Sequence, residues 1–281
     1  MKNYLKQKLL LLCLMALSFI VHQSYGQVAA LGTATSANGT TTLTSFSAPA
    51  GTNRLLVVTF SDAASITPAS ATFGGTPMTK ISEVNDGATA SDAIFVLALG
   101  TSGSATVGNV VANNANGGNT TKIVSASVYQ NVNQTTPTSG LQTAFANSTT
   151  STLNVPSQAS DLVFDFYDSF HSVNTPIPTA GGGQTLTTFT AFAVPSGFGF
   201  YSISTKAGAA SVAMSRTATG HCCYIHIAFS LQEASSPSTF WTDLFEDRDS
   251  PSIGTRTPTG GFTCGGPHQL RLIFVGQPML T

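Results

Sequence analysis

The chain has 281 residues, 42% of them hydrophobic and 8% charged, with 11 basic residues against 12 acidic ones. So sparse a charge offers no basic stripe for a phosphate backbone, which excludes nucleic acid as a partner. Four cysteines are too few to staple a chain of this length, so the fold rests on its apolar core.

Residues 1–26 carry Lys2, Lys6 and Lys8, then an apolar run over 9–21, then Ser24 and Gly26 ahead of Gln27. A basic start, a short apolar stretch and a small-residue cleavage site predict a secretory signal peptide. The run is shorter than the roughly 20 residues that cross a bilayer, and no later segment is longer, so the mature chain is expected to be secreted or held at the cell surface without a membrane span. Removing the three lysines leaves 8 basic residues against 12 acidic ones, a net charge of −4.

From 27 to 233 the sequence predicts short strands at 41–47, 54–61, 70–73, 78–84, 92–99, 105–111, 122–130, 152–155, 161–167, 185–193, 198–205, 210–215 and 221–231. Gly, Asn, Ser, Thr and Pro clusters separate them, and no helical period interrupts them. Many short strands at even spacing predict an all-β, antiparallel β-sandwich of the jelly-roll type. Runs such as LLVVTF and LVFDF are apolar on successive positions, as in strands covered on both sides. SASVYQNV alternates, which predicts one wet face bearing Ser125, Ser127 and Tyr129. The composition shifts at 234–281, which holds the only Trp and no Lys. That segment reads as an irregular tail, with an amphipathic turn at 239–247 and a strand at 271–275.

The succession GTNRLLVVTF, ATFGGTPMTKI, IFVLALGTSGSATV, SASVYQNVNQTTP, SDLVFDF and GAASVAMSRT resembles a recurrent secreted bacterial β-sandwich surface module of jelly-roll or concanavalin-like shape. The resemblance covers most of 27–233 and implies an extracellular module without an assigned catalytic site. It lacks, at Ile94-Phe95-Val96, the Trp-Tyr pair that such modules often carry.

Four features bear on chemistry. HCCYIH at 221–226 places Cys222 and His226 on one strand face and His221 and Cys223 on the other, which argues against a four-ligand zinc site. Secretion permits a disulfide, and Cys222 with Cys264 is the pairing that would staple the tail to the core. DLVFDFYDSFH places Asp161, Asp165, Tyr167 and His171 on one face and Asp168 on the other, with Asp165 read as a wet-face or loop-bonded carboxylate. Asp161 and Asp165 lie about 13 Å apart along an extended strand, outside both glycosidase geometries. The loop holding Glu83, Asn85, Asp86 and Asp92 gathers oxygen ligands, so calcium is a possible cofactor although EF-hand spacing is absent.

No nucleophile elbow and no phosphate loop occur. The expected function is therefore noncatalytic: binding of a surface ligand of the glycan class, or attachment to a surface protein. Tyr129, Tyr167 and Asp165 supply aromatic and carboxylate contacts in this reading, with Asn113, Asn114 and Asn119 on a loop. The alternatives are a structural module of a surface layer or adhesin, and a hydrolase using carboxylates near Asp165.

Overall fold

The computed structural model describes residues 26–62, 69–85, 90–113, 122–174, 176–194, 197–234, 262–263 and 271–272. Among these every pairing is antiparallel and there is no helix, so the chain is all-β. No helix there is long and apolar enough to cross a membrane. The leader and the turn expected at 239–247 lie outside the described residues.

The first ten strands are β1 (Ala29–Ala30), β2 (Thr35–Asn38), β3 (Thr42–Ala48), β4 (Gly51–Asp62), β5 (Ser70–Phe73), β6 (Thr76–Pro77), β7 (Thr79–Asn85), β8 (Ser91–Gly103), β9 (Thr106–Asn113) and β10 (Lys122–Gln130). The next eight are β11 (Thr138–Ala146), β12 (Thr150–Pro156), β13 (Leu162–His171), β14 (Thr179–Ala180), β15 (Thr185–Val194), β16 (Gly197–Ala207), β17 (Ser211–Thr217) and β18 (Cys223–Leu231). By its contacts the chain divides between Ser236 and Pro237, and in the second unit β19 (Phe262–Thr263) pairs with β20 (Arg271–Leu272). Every run read as a strand within 27–233 falls on one of these elements, and of the run expected at 271–275 only 271–272 lie among the described residues. One long strand that was not expected is β11, in which Gly140, at φ 63°, sits in an irregularity between Ser139 and Gln142. A Cβ there would meet the Pro156 carbonyl oxygen at 2.5 Å, so the position requires glycine, and the break interrupts the two-residue period.

Strand order shows that the fold is built twice. One sheet runs β1-β10-β4-β8-β7 with β2 also on β10, and a second runs β11-β18-β13-β16-β15. A third, β3-β9-β5-β6, accompanies the first, and a fourth, β12-β17-β14, accompanies the second. The order β10-β4-β8-β7 thus recurs as β18-β13-β16-β15, and β3-β9-β5 recurs as β12-β17-β14. PAGTNRLLVVTF at 49–60 occupies the same place as PSQASDLVFDFY at 156–167.

Apolar clusters fix the layers. Leu56, Val58 and Phe60 of β4 pack with Phe46, Phe73 and Val110 of the third sheet. On the other face of the same strand, Leu55 and Val57 share a core with Phe164, Phe166, Ile203, Ile227 and Phe229 of the second half. Val163 and Ala228 then meet Leu153, Val155, Val212 and Met214 of the outermost sheet. Two inner sheets therefore lie face to face, each covered on its other side. This corrects the wet face expected for β10: Ser125, Ser127 and Tyr129 are buried, because the second half covers them.

Candidate functional site

Asp165 lies at the centre of the second half and is fully buried, so the wet-face reading of this carboxylate does not hold. Its Oδ1 accepts from Ser204 N at 3.0 Å, Ser204 Oγ at 2.5 Å and Arg216 Nη2 at 2.7 Å. Its Oδ2 accepts from Arg216 Nε at 3.1 Å, His226 Nε2 at 3.1 Å and Gln184 Nε2 at 3.2 Å. Burial alone would raise this carboxyl, but the hydrogen bond from His226 and the Arg216 guanidinium outweigh it and hold it below the usual carboxylate range.

A carboxylate only accepts, so it fixes His226 Nε2 as a donor; in the neutral ring, Nδ1 then accepts the Ser151 hydroxyl at 2.8 Å. Ser151, His226 and Asp165 form a Ser-His-Asp chain that sequence spacing did not reveal, because its members come from β12, β18 and β13. A nucleophilic triad needs an accessible hydroxyl and an acid whose charge is available to the imidazolium. Here Ser151 is 4% exposed, His226 and Asp165 are 0% exposed, and Arg216 already neutralises the acid. The arrangement therefore serves as a polar core.

Comparison between the halves shows what stands at the same places in the first half. By pairing position Asp165, Ser204, Arg216 and His226 match Val58, Phe95, Val110 and Val124: Asp165 pairs with Ala228 and Ser204 as Val58 pairs with Ala126 and Phe95, and Arg216 stands two residues past Met214, the partner of Leu153, as Val110 stands two past Gly108, the partner of Phe46. All four counterparts belong to the apolar cluster of the first half. Tyr167 stands opposite His226 as Phe60 stands opposite Val124, and it too is fully buried. Its hydroxyl is pushed above the ordinary tyrosine value by burial.

A second polar group lies where the inner sheets meet. Ser61 of β4 donates to Asp168 Oδ2 at 2.6 Å, and the Thr59 and Tyr201 hydroxyls are hydrogen-bonded to each other. Burial pushes the Asp168 carboxyl up to about 7 against the opposing pull of Ser61 and the Ser169 backbone. Tyr201 is also raised, chiefly by burial, with Asp92 and Asp168 adding to the effect. Tyr129 of β10 is 1% exposed, packs edge-on against Phe164 at 6.1 Å and is raised to about 12, chiefly by burial.

Tyr129, Tyr167 and Asp165 are thus interior residues and give no surface platform. The hydrolase carboxylates do not converge either, since Asp165 faces the outer sheet, Asp168 faces the first half, and His171 Nδ1 lies 2.9 Å from both the backbone N–H and the carbonyl of Val173. Asn113 is exposed at the end of β9, while Asn114 and Asn119 lie outside the described residues. In the proposed calcium loop Glu83 accepts from Ala69 N and Ser91 Oγ and pairs with Lys80, Asp92 is buried, and Asp86 lies outside the described residues. No group of three or more His, Cys, Asp or Glu suited to a metal occurs among the described residues. Cys222 stands just before β18, and its proposed partner Cys264 lies outside the described residues.

An open groove of about 520 Å³ lies on the first half, lined by β2, β3 and their flanking loops. Thr33, Thr35, Thr44, Ser45 and Ser47 are exposed along it, while Leu43 and Phe46 form its buried apolar base. Ser45 holds φ 52° at the irregularity of β3, and its N–H is fixed by Asn109 Oδ1 at 2.9 Å. A non-glycine residue held in the left-handed region is strain that the surrounding structure must sustain.

What the fold and these sites define is an all-β, antiparallel protein of duplicated design, with Asp165, Arg216 and His226 buried in its second half and a hydroxyl-lined groove on its first. Comparison with protein-family models, with curated proteins and with solved structures gave no match.

Proposed function

We propose that the chain is a secreted, noncatalytic protein of two jelly-roll-type β-sandwiches that binds a surface ligand of the glycan class. The carrying observation is the groove on β2 and β3. Hydroxyls of Thr33, Thr35, Thr44, Ser45 and Ser47 exchange hydrogen bonds with a polyol, and the half-buried Pro49 supplies the apolar contact a sugar ring also needs. The interior position of Asp165, His226 and Ser151 supports the absence of catalysis, since no substrate reaches them. A glycan-array screen of residues 27–281, with calcium and again with chelator, tests this reading. It predicts saturable binding to one sugar class; loss in chelator would add a calcium site, and silence from a folded sample would count against it.

The alternative of a structural surface module draws on a different observation. Leu141 and Phe145 on edge strand β11 are 42% and 44% exposed, and Leu186 on the opposite edge strand β15 is 47% exposed. Apolar side chains along open sheet edges favour lateral association. That reading predicts concentration-dependent assembly, abolished by Leu141→Lys with Phe145→Lys.

A further inference from the structure

The paired cysteines at the start of β18 hold a geometry that a regular strand would forbid. Neighbouring strand side chains point to opposite faces, yet the Sγ atoms of Cys222 and Cys223 lie 2.9 Å apart. The cause is local. Cys222 precedes the strand, after a turn in which Gly220 takes φ 81° and His221 N donates to Ala218 O at 3.0 Å. His221 is buried and pinned at both ring nitrogens, Nδ1 to Ser169 Oγ and Nε2 to Pro176 O, each at 2.9 Å. Cys222 N donates to Phe170 O at 3.1 Å. The backbone is therefore held on both sides of the bond that brings the two sulfurs together. Both residues are thiols, Cys222 exposed and Cys223 half-buried.

We propose that Cys222 and Cys223 form a two-thiol site that undergoes thiol–disulfide exchange with small-molecule disulfides and closes reversibly to a bridge between neighbouring residues. The Cys222 thiolate attacks one sulfur of the external disulfide R–S–S–R, forming a mixed disulfide and releasing one RS⁻. Cys223, as thiolate, then attacks the Cys222 sulfur and releases the second RS⁻. The two protons given up by the cysteines leave the released thiolates as 2 RSH. Two electrons pass from the cysteines to the external disulfide, which is reduced.

The bridge is easily reopened. Neighbouring Cα atoms are about 3.8 Å apart, whereas disulfides ordinarily join Cα atoms about 4.4 to 6.8 Å apart, so the closed form is strained and open to attack by thiols. This pairing differs from the Cys222 to Cys264 staple expected from the sequence, and mass analysis separates the two.

The test incubates the full chain with glutathione disulfide, blocks remaining thiols with a maleimide, and maps tryptic peptides by mass before and after dithiothreitol. Arg216 and Arg248 bound a peptide that holds both cysteines, and Cys264 falls in another. The proposal predicts that the first peptide becomes lighter by two hydrogen atoms, takes no maleimide, and regains two maleimides once reduced. In Cys223→Ser, the resolving thiol is gone and Cys222 keeps a glutathione adduct that dithiothreitol removes. A cross-linked peptide containing Cys264, full maleimide labelling of both cysteines after oxidation, or a lasting glutathione adduct on the unaltered chain would each overturn it.

Discussion

Asp165 and Asp168 are three residues apart on one strand and face opposite layers, and their surroundings drive their acidities in opposite directions. Asp165 is surrounded by donors and cations and is held low, while burial raises Asp168 to about 7 with Ser61 as its side-chain donor. An unfolded aspartate titrates near 3.9, so between about pH 4 and 7 the folded state binds the Asp168 proton more firmly than the unfolded state does. Its contribution to stability therefore falls as pH rises through that window. Asp165 behaves oppositely: its contribution is present above the unfolded value and is lost as acid takes the pH below it. His221, lowered by burial, also loses its contribution on acidification, below the ordinary histidine range. A comparison with Asp168→Asn isolates the first effect from the others. Thermal unfolding from pH 4 to 8 is expected to show the variant gaining on the unaltered protein as pH rises to 7, then holding a constant lead; a difference independent of pH would contradict the assignment. The enclosed Ser151 yields a second prediction at this scale. A fluorophosphonate probe is expected to leave it unmodified by intact mass, and labelling at Ser151 would reopen the hydrolase reading.

At the scale of elements, the duplicated design provides its own control for the buried ion pair. Removing one partner of such a pair leaves a buried charge uncompensated and costs about 3 to 5 kcal/mol, whereas an apolar replacement of the whole group is often neutral. Arg216→Met is expected to lose about that much in urea unfolding. Asp165→Val with Ser204→Phe, Arg216→Val and His226→Val transplants the set already present in the first half and is expected to lose less than Arg216→Met alone. A larger loss for the four-residue variant would show that the two halves are not interchangeable at these positions. Apart from β11 and the short β1, β2, β6 and β14, the strands of the first unit were legible from alternating and continuous apolar runs, whose boundaries moved by only a few residues. The duplication was not, since PAGTNRLLVVTF and PSQASDLVFDFY agree at only two of twelve positions while keeping the same places in their sheets. Nor was the burial of Tyr129, Tyr167 and Asp165 legible. Period-two reasoning tells which residues share a face of a strand, but not whether another sheet covers that face, and here both faces of β10, β13 and β18 are covered.

For the molecule as a whole, the two sheets of the second half enclose the acid, imidazole and serine groups of Asp165, His226 and Ser151, and the first half carries Ser and Thr hydroxyls along an outer groove. Recognition at that groove depends on its remaining open. Thr44 is exposed in the groove, so Thr44→Trp puts a bulky ring into the open space. The most direct measurement is a glycan-array screen of the unaltered protein beside Thr44→Trp, with both shown to be folded by their unfolding transitions. The glycan reading predicts saturable binding to one sugar class by the unaltered protein and at least a tenfold weaker signal from Thr44→Trp, equivalent to about 1.4 kcal/mol of binding free energy. Equal binding by the two proteins, or no binding by either, would contradict it.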